Sequence, residues 1–263
     1  MNVLTNECLA WVEERYCEQY GNPLLTEKTT KFDVAIEKYR DLLDFKISDN
    51  VFDANPNFDE DTHRVMRLIA QYHMEHVFRA MKIDMTDPNV AGEKGTPYRF
   101  IKMYCGANLE DDTELLSGRW TKRPRIASFP NEHKQAFPIT KRVDVVSVCS
   151  HHTAPFSTMF RDDAYAIISY IPEDKILGIS KLQRIVDWVA RRGHLQEGLT
   201  QMIYDEVCAA AETKNVYIKL TNVMHTCESL RGSQSKDGSF TSEYYGGEFE
   251  DPIKRKEVQN SIK

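Results

Sequence analysis

The chain has 263 residues, 41% of them hydrophobic and 28% charged, the make-up of an ordinary globular protein with room for one large domain or two small ones. A formal net charge of −6 and a pI near 5.8 exclude a broadly basic surface for nucleic acid or anionic membrane, so an anionic small substrate would need a locally basic pocket. No window nears the roughly 18 continuous apolar residues of a membrane span, and the opening MNVLTNECLAWVEERYCEQY carries acids early, unlike a signal or transit peptide; a cytoplasmic location is expected.

The first half reads as helical. Residues 5–20 are weakly amphipathic. Phe32, Ala35, Ile36, Tyr39, Leu42 and Leu43 keep helical spacing, and so do Val65, Leu68, Ile69, Tyr72 and His76 in a longer segment from Asp59 to Lys82. DANPNFDED between these two is a polar, proline-containing connection. Residues 84–98 read as loop, a short helix (YRFIKMY) follows Pro97, and residues 105–138 are irregular. In the second half strands and helices interleave. Val143, Val145, Ser147 and Cys149 share one strand face, and AYAIISYI (164–171) is a second strand. ISKLQRIVDWVARRG and LQEGLTQMIYDEVCAAAE are helices, the first with Gly193 as its stop, and NVYIKLTNV is a strand with Val216, Ile218 and Leu220 on one face. Helices followed by mixed strands and helices give an α+β class.

Six cysteines (Cys8, Cys17, Cys105, Cys149, Cys208 and Cys227) are scattered rather than framework-like, which suits a reduced setting where clustered Cys and His point to metal or catalysis. Two clusters exist: VVSVCSHHTAPF at 145–156 and MHTCESLRG at 224–232, each at the end of a strand pattern. In an extended strand residues two apart share a face, so His225 and Cys227 point the same way, as do Cys149 and His151. Pro155 implies a turn that would bring His152 round. Cys149-x-x-His152 plus Cys227 then makes a three-ligand site with an open fourth position, the pattern of catalytic zinc. Either cluster alone reads as well as core or surface decoration, since a single Cys-x-x-His is common by chance. His151 and His225, left beside the proposed ligands, are the pair that general acid–base chemistry requires.

Ser180 followed by Gln183 has the spacing of a capping box, which would make Ser180 a plain helix cap. Lys181 and Arg184 in the same first turn oppose the helix dipole unless an anion binds there. Glu197 stands in another first turn, where an acid is ordinary.

From about Thr96 to Gly247 the chain resembles the GTP cyclohydrolase I family. The matching pieces run in family order: TPYRFIKMY, CSHH, SYIP, GISKLQRIVDWVARR, LQEGLT, HTCESLRG and the glycine-ending SFTSEYYGG. The resemblance implies conversion of GTP to 7,8-dihydroneopterin triphosphate and formate, the start of pterin, folate or 7-deazaguanine routes. It implies zinc on Cys149, His152 and Cys227, and proton transfer by His151 and His225. Ser180, Lys181, Arg184 and Arg231 would hold the triphosphate, Arg99 would reach a neighbouring subunit's site, and Glu197 with Gln196 beside it would hold the guanine edge. The implied architecture is the tunnelling fold: an antiparallel sheet with helices on one face, preceded by an N-terminal helical extension. Residues 1–55 would form the extension and 56–263 the catalytic domain, assembled as a homodecamer of two pentamers with no nucleic-acid or membrane partner.

The sequence departs from the family at Ser150, where glutamate is usual, at Ser157, where glycine is usual, and at Gly198, where arginine is common. A 7-cyano-7-deazaguanine reductase on the same fold is the alternative enzyme, but it lacks this zinc set. A zinc-stabilised interaction protein is the non-enzyme alternative, and it would not need both His151 and His225.

Overall fold

In the computed structural model, which describes residues 3–111, 113–232, 234–235 and 238–262, the chain forms two compact units, 1–122 and 123–263. The first is helical: α1 (Asn6–Tyr20), α2 (Lys31–Arg40), α3 (Val51–Ala54), α4 (Glu60–Ala80) and α5 (Thr96–Cys105). Side chains cap most of the starts. Thr5 accepts from the Cys8 amide, Thr30 and Asp33 make a full capping box, and Asp59 accepts from the Thr62 amide. Cys8, Val12 and Tyr16 recur every fourth residue along α1, and this stripe packs with Phe32, Ala35 and Ile36 of α2 and Val65, Leu68, Ile69 and Tyr72 of α4. His63 of α4 is fully buried, with Nε2 3.0 Å from the Cys105 carbonyl. α5 starts behind Gly95, where a Cβ would lie 2.2 Å from the Val90 carbonyl oxygen, so only glycine fits.

The second unit holds β1 (Ser128–Pro130), β2 (Ile139–Val143), β3 (Val146–Cys149), β4 (Pro155–Ser157), β5 (Tyr165–Tyr170), β6 (Lys175–Leu177), α6 (Ile179–Ala190), β7 (Gly193–His194), α7 (Gln196–Ala211), β8 (Val216–His225), α8 (Thr226–Ser229), β9 (Phe240–Tyr245) and α9 (Pro252–Ser261). β1 and β6 form a separate ribbon, and the main sheet runs β2-β5-β8-β4-β3-β7, with β9 also on β8. The pairs are antiparallel apart from β3 with β7. One face buries Ala166, Ile168 and Tyr170 of β5 and Val216, Ile218 and Leu220 of β8 under α6 and α7. The opposite face carries Ile167 and Tyr217 beneath Phe249 and Val258, so α9 adds a smaller second layer to an α+β sheet otherwise covered by α6 and α7. The turn into that layer uses Gly247 at φ +60, where a Cβ would meet Asn215 Oδ1 at 2.2 Å.

β8 contains a bulge. Its inward residues are Val216, Ile218 and Leu220, then Val223, so the alternation slips by one where the β9 register shifts between Leu220 and Val223. Asn222, at φ +52, occupies the slip; its amide donates to Thr241 Oγ1 (3.1 Å) and its Nδ2 to Asp163 Oδ2 (3.1 Å). Before the bulge β8 pairs with β5; after it, Met224 and His225 pair with Ser157 and Phe156 of β4. Among the described residues no helix is long and apolar enough to cross a membrane.

Candidate metal centre

Cys149 is the last residue of β3, and the chain reverses at once into β4. The Cys149 amide donates to the Ala154 carbonyl (2.8 Å), while the His152 and Thr153 amides donate to the Cys149 carbonyl (3.3 and 2.8 Å). Thr153, at φ +52, closes the turn. The expected turn before Pro155 therefore forms, and it brings His152 round to the side of Cys149. β7 lies parallel to β3, with His194 opposite Cys149, and the Ser150 amide donates to the His194 carbonyl (3.0 Å).

The second cluster leaves strand geometry one residue early. His225 ends β8, but Cys227 sits on the single turn α8 rather than two places along a strand. Thr226 Oγ1 donates to the Pro155 carbonyl (2.6 Å), tying α8 to β4, and Ser229 Oγ donates to the His225 carbonyl (3.1 Å). The turn after β3 and the turn after β8 thus meet across β4. Ligand atoms of Cys149, His152 and Cys227 all lie within 4.8 Å of one another.

The donor set fits a thiophilic cation. With zinc–sulfur bonds of about 2.3 Å and zinc–nitrogen bonds of about 2.0 Å, tetrahedral ligand atoms stand about 3.5–3.8 Å apart, which small side-chain adjustments reach. Burial first, then the neighbouring Cys149, pushes the Cys227 thiol up, and Arg231 only partly opposes this. Two thiols and an imidazole match zinc better than magnesium or calcium, which prefer oxygen.

His225 is half-buried beside this cluster. Its ring stacks on Phe156 at 4.4 Å between centroids and 10° between planes, and its Nε2 lies 2.8 Å from Gln196 Oε1. Burial lowers its pKa, and the Glu228 and Glu197 carboxylates pull the other way. His151 is exposed in the turn, its ring 6.1 Å from that of His152.

The remaining candidate residues, apart from Arg231, fall near helix starts. α6 begins at Ile179 with Gly178 as N-cap and no side-chain cap, so the expected Ser180–Gln183 capping box does not form. The Gly178 amide is pinned to the Ala127 carbonyl (3.0 Å), which starts the helix ahead of Ser180, and Gln183 turns instead to the Asp144 backbone and Asp187. Ser180 and Arg184 are exposed and Lys181 is half-buried around this uncapped end. Arg231 is exposed just after α8. Glu197 is exposed in the first turn of α7, whereas Gln196, one residue earlier, is only 2% exposed. Arg99, in the other unit, is exposed and donates to the Lys94 and Asn89 carbonyls and Thr96 Oγ1.

Phe156, Ser242, Thr200 and Asn222 shape the site without having been singled out in the sequence. Only the Asn222 bulge left a trace there, as the slip from Leu220 to Val223 in an otherwise even apolar alternation.

Comparison with known proteins agrees with the motifs. The family model described as GTP cyclohydrolase I matches residues 71–263. GTP cyclohydrolase 1 of Flavobacterium johnsoniae is 30% identical over 192 residues, covering 72% of this chain and 78% of that protein. The protein of that name from Shewanella sp. strain ANA-3 is 33% identical over 198 residues (73% and 83%), and that from Yersinia pseudotuberculosis serotype O:1b 32% over 196 (74% and 80%). Among solved structures, the archaeosine synthase QueF-Like in the apo form aligns with TM-score 0.32 and 21% identity over 42% of this chain and 93% of that one. With the family model spanning both turns and the helices between them, the chain belongs to the GTP cyclohydrolase I family.

Proposed function

We propose that the chain is a zinc-dependent enzyme that hydrolyses and rearranges GTP to 7,8-dihydroneopterin triphosphate with release of formate. The observation that carries this reading is the meeting of Cys149, His152 and Cys227 beside the half-buried His225. Zinc held by those three residues would supply Lewis-acid chemistry, bringing the pKa of water toward neutrality. Burial makes the His225 imidazolium a stronger acid, suited to delivering a proton to purine N7 and so making C8 electrophilic. His151, exposed in the adjoining turn, is the partner for the proton transfers of ring opening and formate release.

Ser180, Lys181, Arg184 and Arg231 hold the triphosphate. The uncapped start of α6 supports this, because its first amides are left without a side-chain acceptor. Arg99 reaches the triphosphate of a neighbouring subunit, and Glu197 reads the guanine edge. Such shared sites require assembly, here a decamer of two pentamers. The family match begins at residue 71 and so leaves residues 1–55 outside it; these are treated as an extension ahead of a catalytic domain of 56–263.

The test is formate release from GTP together with metal analysis. Wild type should carry one tightly bound zinc per subunit and release formate, while Cys149→Ser and Cys227→Ser should lose metal and ring opening together. Full zinc in either variant would remove the ligand assignment.

A further inference from the structure

Gln196 is almost wholly buried, yet every polar atom of its side chain has a partner within the protein. The directions of those bonds can be worked out from groups whose role cannot change. The Gln196 main-chain carbonyl only accepts, so Thr200 Oγ1, 2.8 Å away, spends its one proton on it. Thr200 Oγ1 must then accept from Ser242 Oγ, 2.7 Å away, which spends the Ser242 proton. Ser242 Oγ is left to accept from Gln196 Nε2 at 2.9 Å, and the Phe240 carbonyl accepts from the same nitrogen at 3.3 Å. Flipping the amide would set its oxygen against a carbonyl and a hydroxyl with no proton left to give. The amide oxygen therefore faces His225, and His225 Nε2, 2.8 Å away, must be the donor. The ring is also fixed in plane by its stack on Phe156 and its edge contact with Phe240 at 6.3 Å.

We infer that Gln196 is a positioning residue: it locks the His225 ring in one orientation, with Nε2 donating to its amide oxygen, so that Nδ1 is the ring nitrogen presented to the substrate. The catalytic part of this inference rests on the function proposed above for His225; the tautomer does not. The amide of Gln196 is committed to this clamp and its side chain is withdrawn from the guanine edge, which leaves base reading to Glu197. A ring free to turn would present the wrong atom to the substrate.

Two measurements on the zinc-loaded full-length protein test this. Magic-angle-spinning NMR of ¹⁵N-histidine-labelled protein, with His225 assigned by its disappearance in His225→Ala, should show protonated Nε2 and bare Nδ1 in wild type, and a mixture of tautomers in Gln196→Leu. Bare Nε2 in wild type overturns the inference whether or not GTP is turned over. Protonated Nε2 in a protein that releases no formate supports the clamp and overturns the proposed function instead. In kinetics, Gln196→Leu should lower kcat on the order of 10²-fold. GTP affinity by calorimetry and zinc content should stay near wild type. In a His225→Ala background, Gln196→Leu should cost nothing more. A raised GTP dissociation constant with kcat intact, or losses that add in the double variant, would show that Gln196 acts on the substrate and not through His225.

Discussion

Glu197 and Gln196 are neighbours on one helical turn with opposite surroundings, one exposed and one 2% exposed. Guanine offers N1–H and a 2-amino group side by side, and a carboxylate accepts both at once. Adenine offers neither in that arrangement and would leave the carboxylate unpaired. Glu197→Gln keeps the shape but turns one acceptor into a donor. It should fold and hold zinc, yet bind GTP about 10- to 100-fold more weakly, the worth of a lost charge-assisted hydrogen bond. Calorimetry giving wild-type GTP affinity, with ATP still excluded, would place base reading elsewhere. The residue scale also marks what a sequence shows and what it hides. Cys149, His152, His225 and Cys227 were legible because their chemistry is rare and their spacing distinctive. The burial of Gln196 was not, because it depends on Ser242 and Phe240, more than forty residues downstream on β9.

Among the elements, long periodic helices were readable to within a few residues: the segment 59–82 is α4, Glu60–Ala80. Strands of two or three residues (β1, β4, β6 and β7) carry no period to read, and the single strand expected through residue 149 breaks into β2 and β3. The bulge in β8 matters more than its size, because the slip at Asn222 decides which face Val223 and His225 present. Asn222→Gly should keep the backbone and the activity. Asn222→Val sets a branched side chain at φ +52 and should cost about 1–2 kcal/mol in urea unfolding, with formate release falling further than stability alone explains. Equal urea midpoints for the two variants would show that the left-handed residue carries no strain. α4 supplies a pH effect. Burial first, then the Arg67 charge, lowers the His63 pKa from 6.5 to about 3, against the opposing pull of the Cys105 carbonyl. The unfolded chain takes up that proton near 6.5 and the folded one does not. The advantage of folding is therefore whole above 6.5 and drains away as pH falls toward 3, at about 1.4 kcal/mol per pH unit. His63→Gln should flatten the acid limb of a plot of urea midpoint against pH; an unchanged slope would assign that limb to other groups.

At the scale of the whole molecule, β2 and β9 each have one sheet edge with no strand partner among the described residues. β9 is exposed along nearly its whole length and shows Phe240, Tyr244 and Tyr245 to solvent. Unprotected edges of this kind invite pairing with another chain, which supports the proposed rings. Light scattering should give ten times the 30.4 kDa chain mass, and dilution that separates the rings should abolish formate release. A monomer of full activity would refute the assembly and the role given to Arg99 together.

The three candidate ligands come from a tight turn at 149–152 and from Cys227, which reaches them only when the end of β8 has docked on β4. A cation bound by all three would therefore recognise the finished sheet and not the unfolded chain, and would act as a clasp across more than seventy residues of sequence. By mass action, free zinc at about a hundred times its dissociation constant adds about 2.7 kcal/mol to folding. The lifetime of the folded chain in a cell would then follow metal supply as much as temperature, and a newly made chain short of zinc would stay open longest at β8.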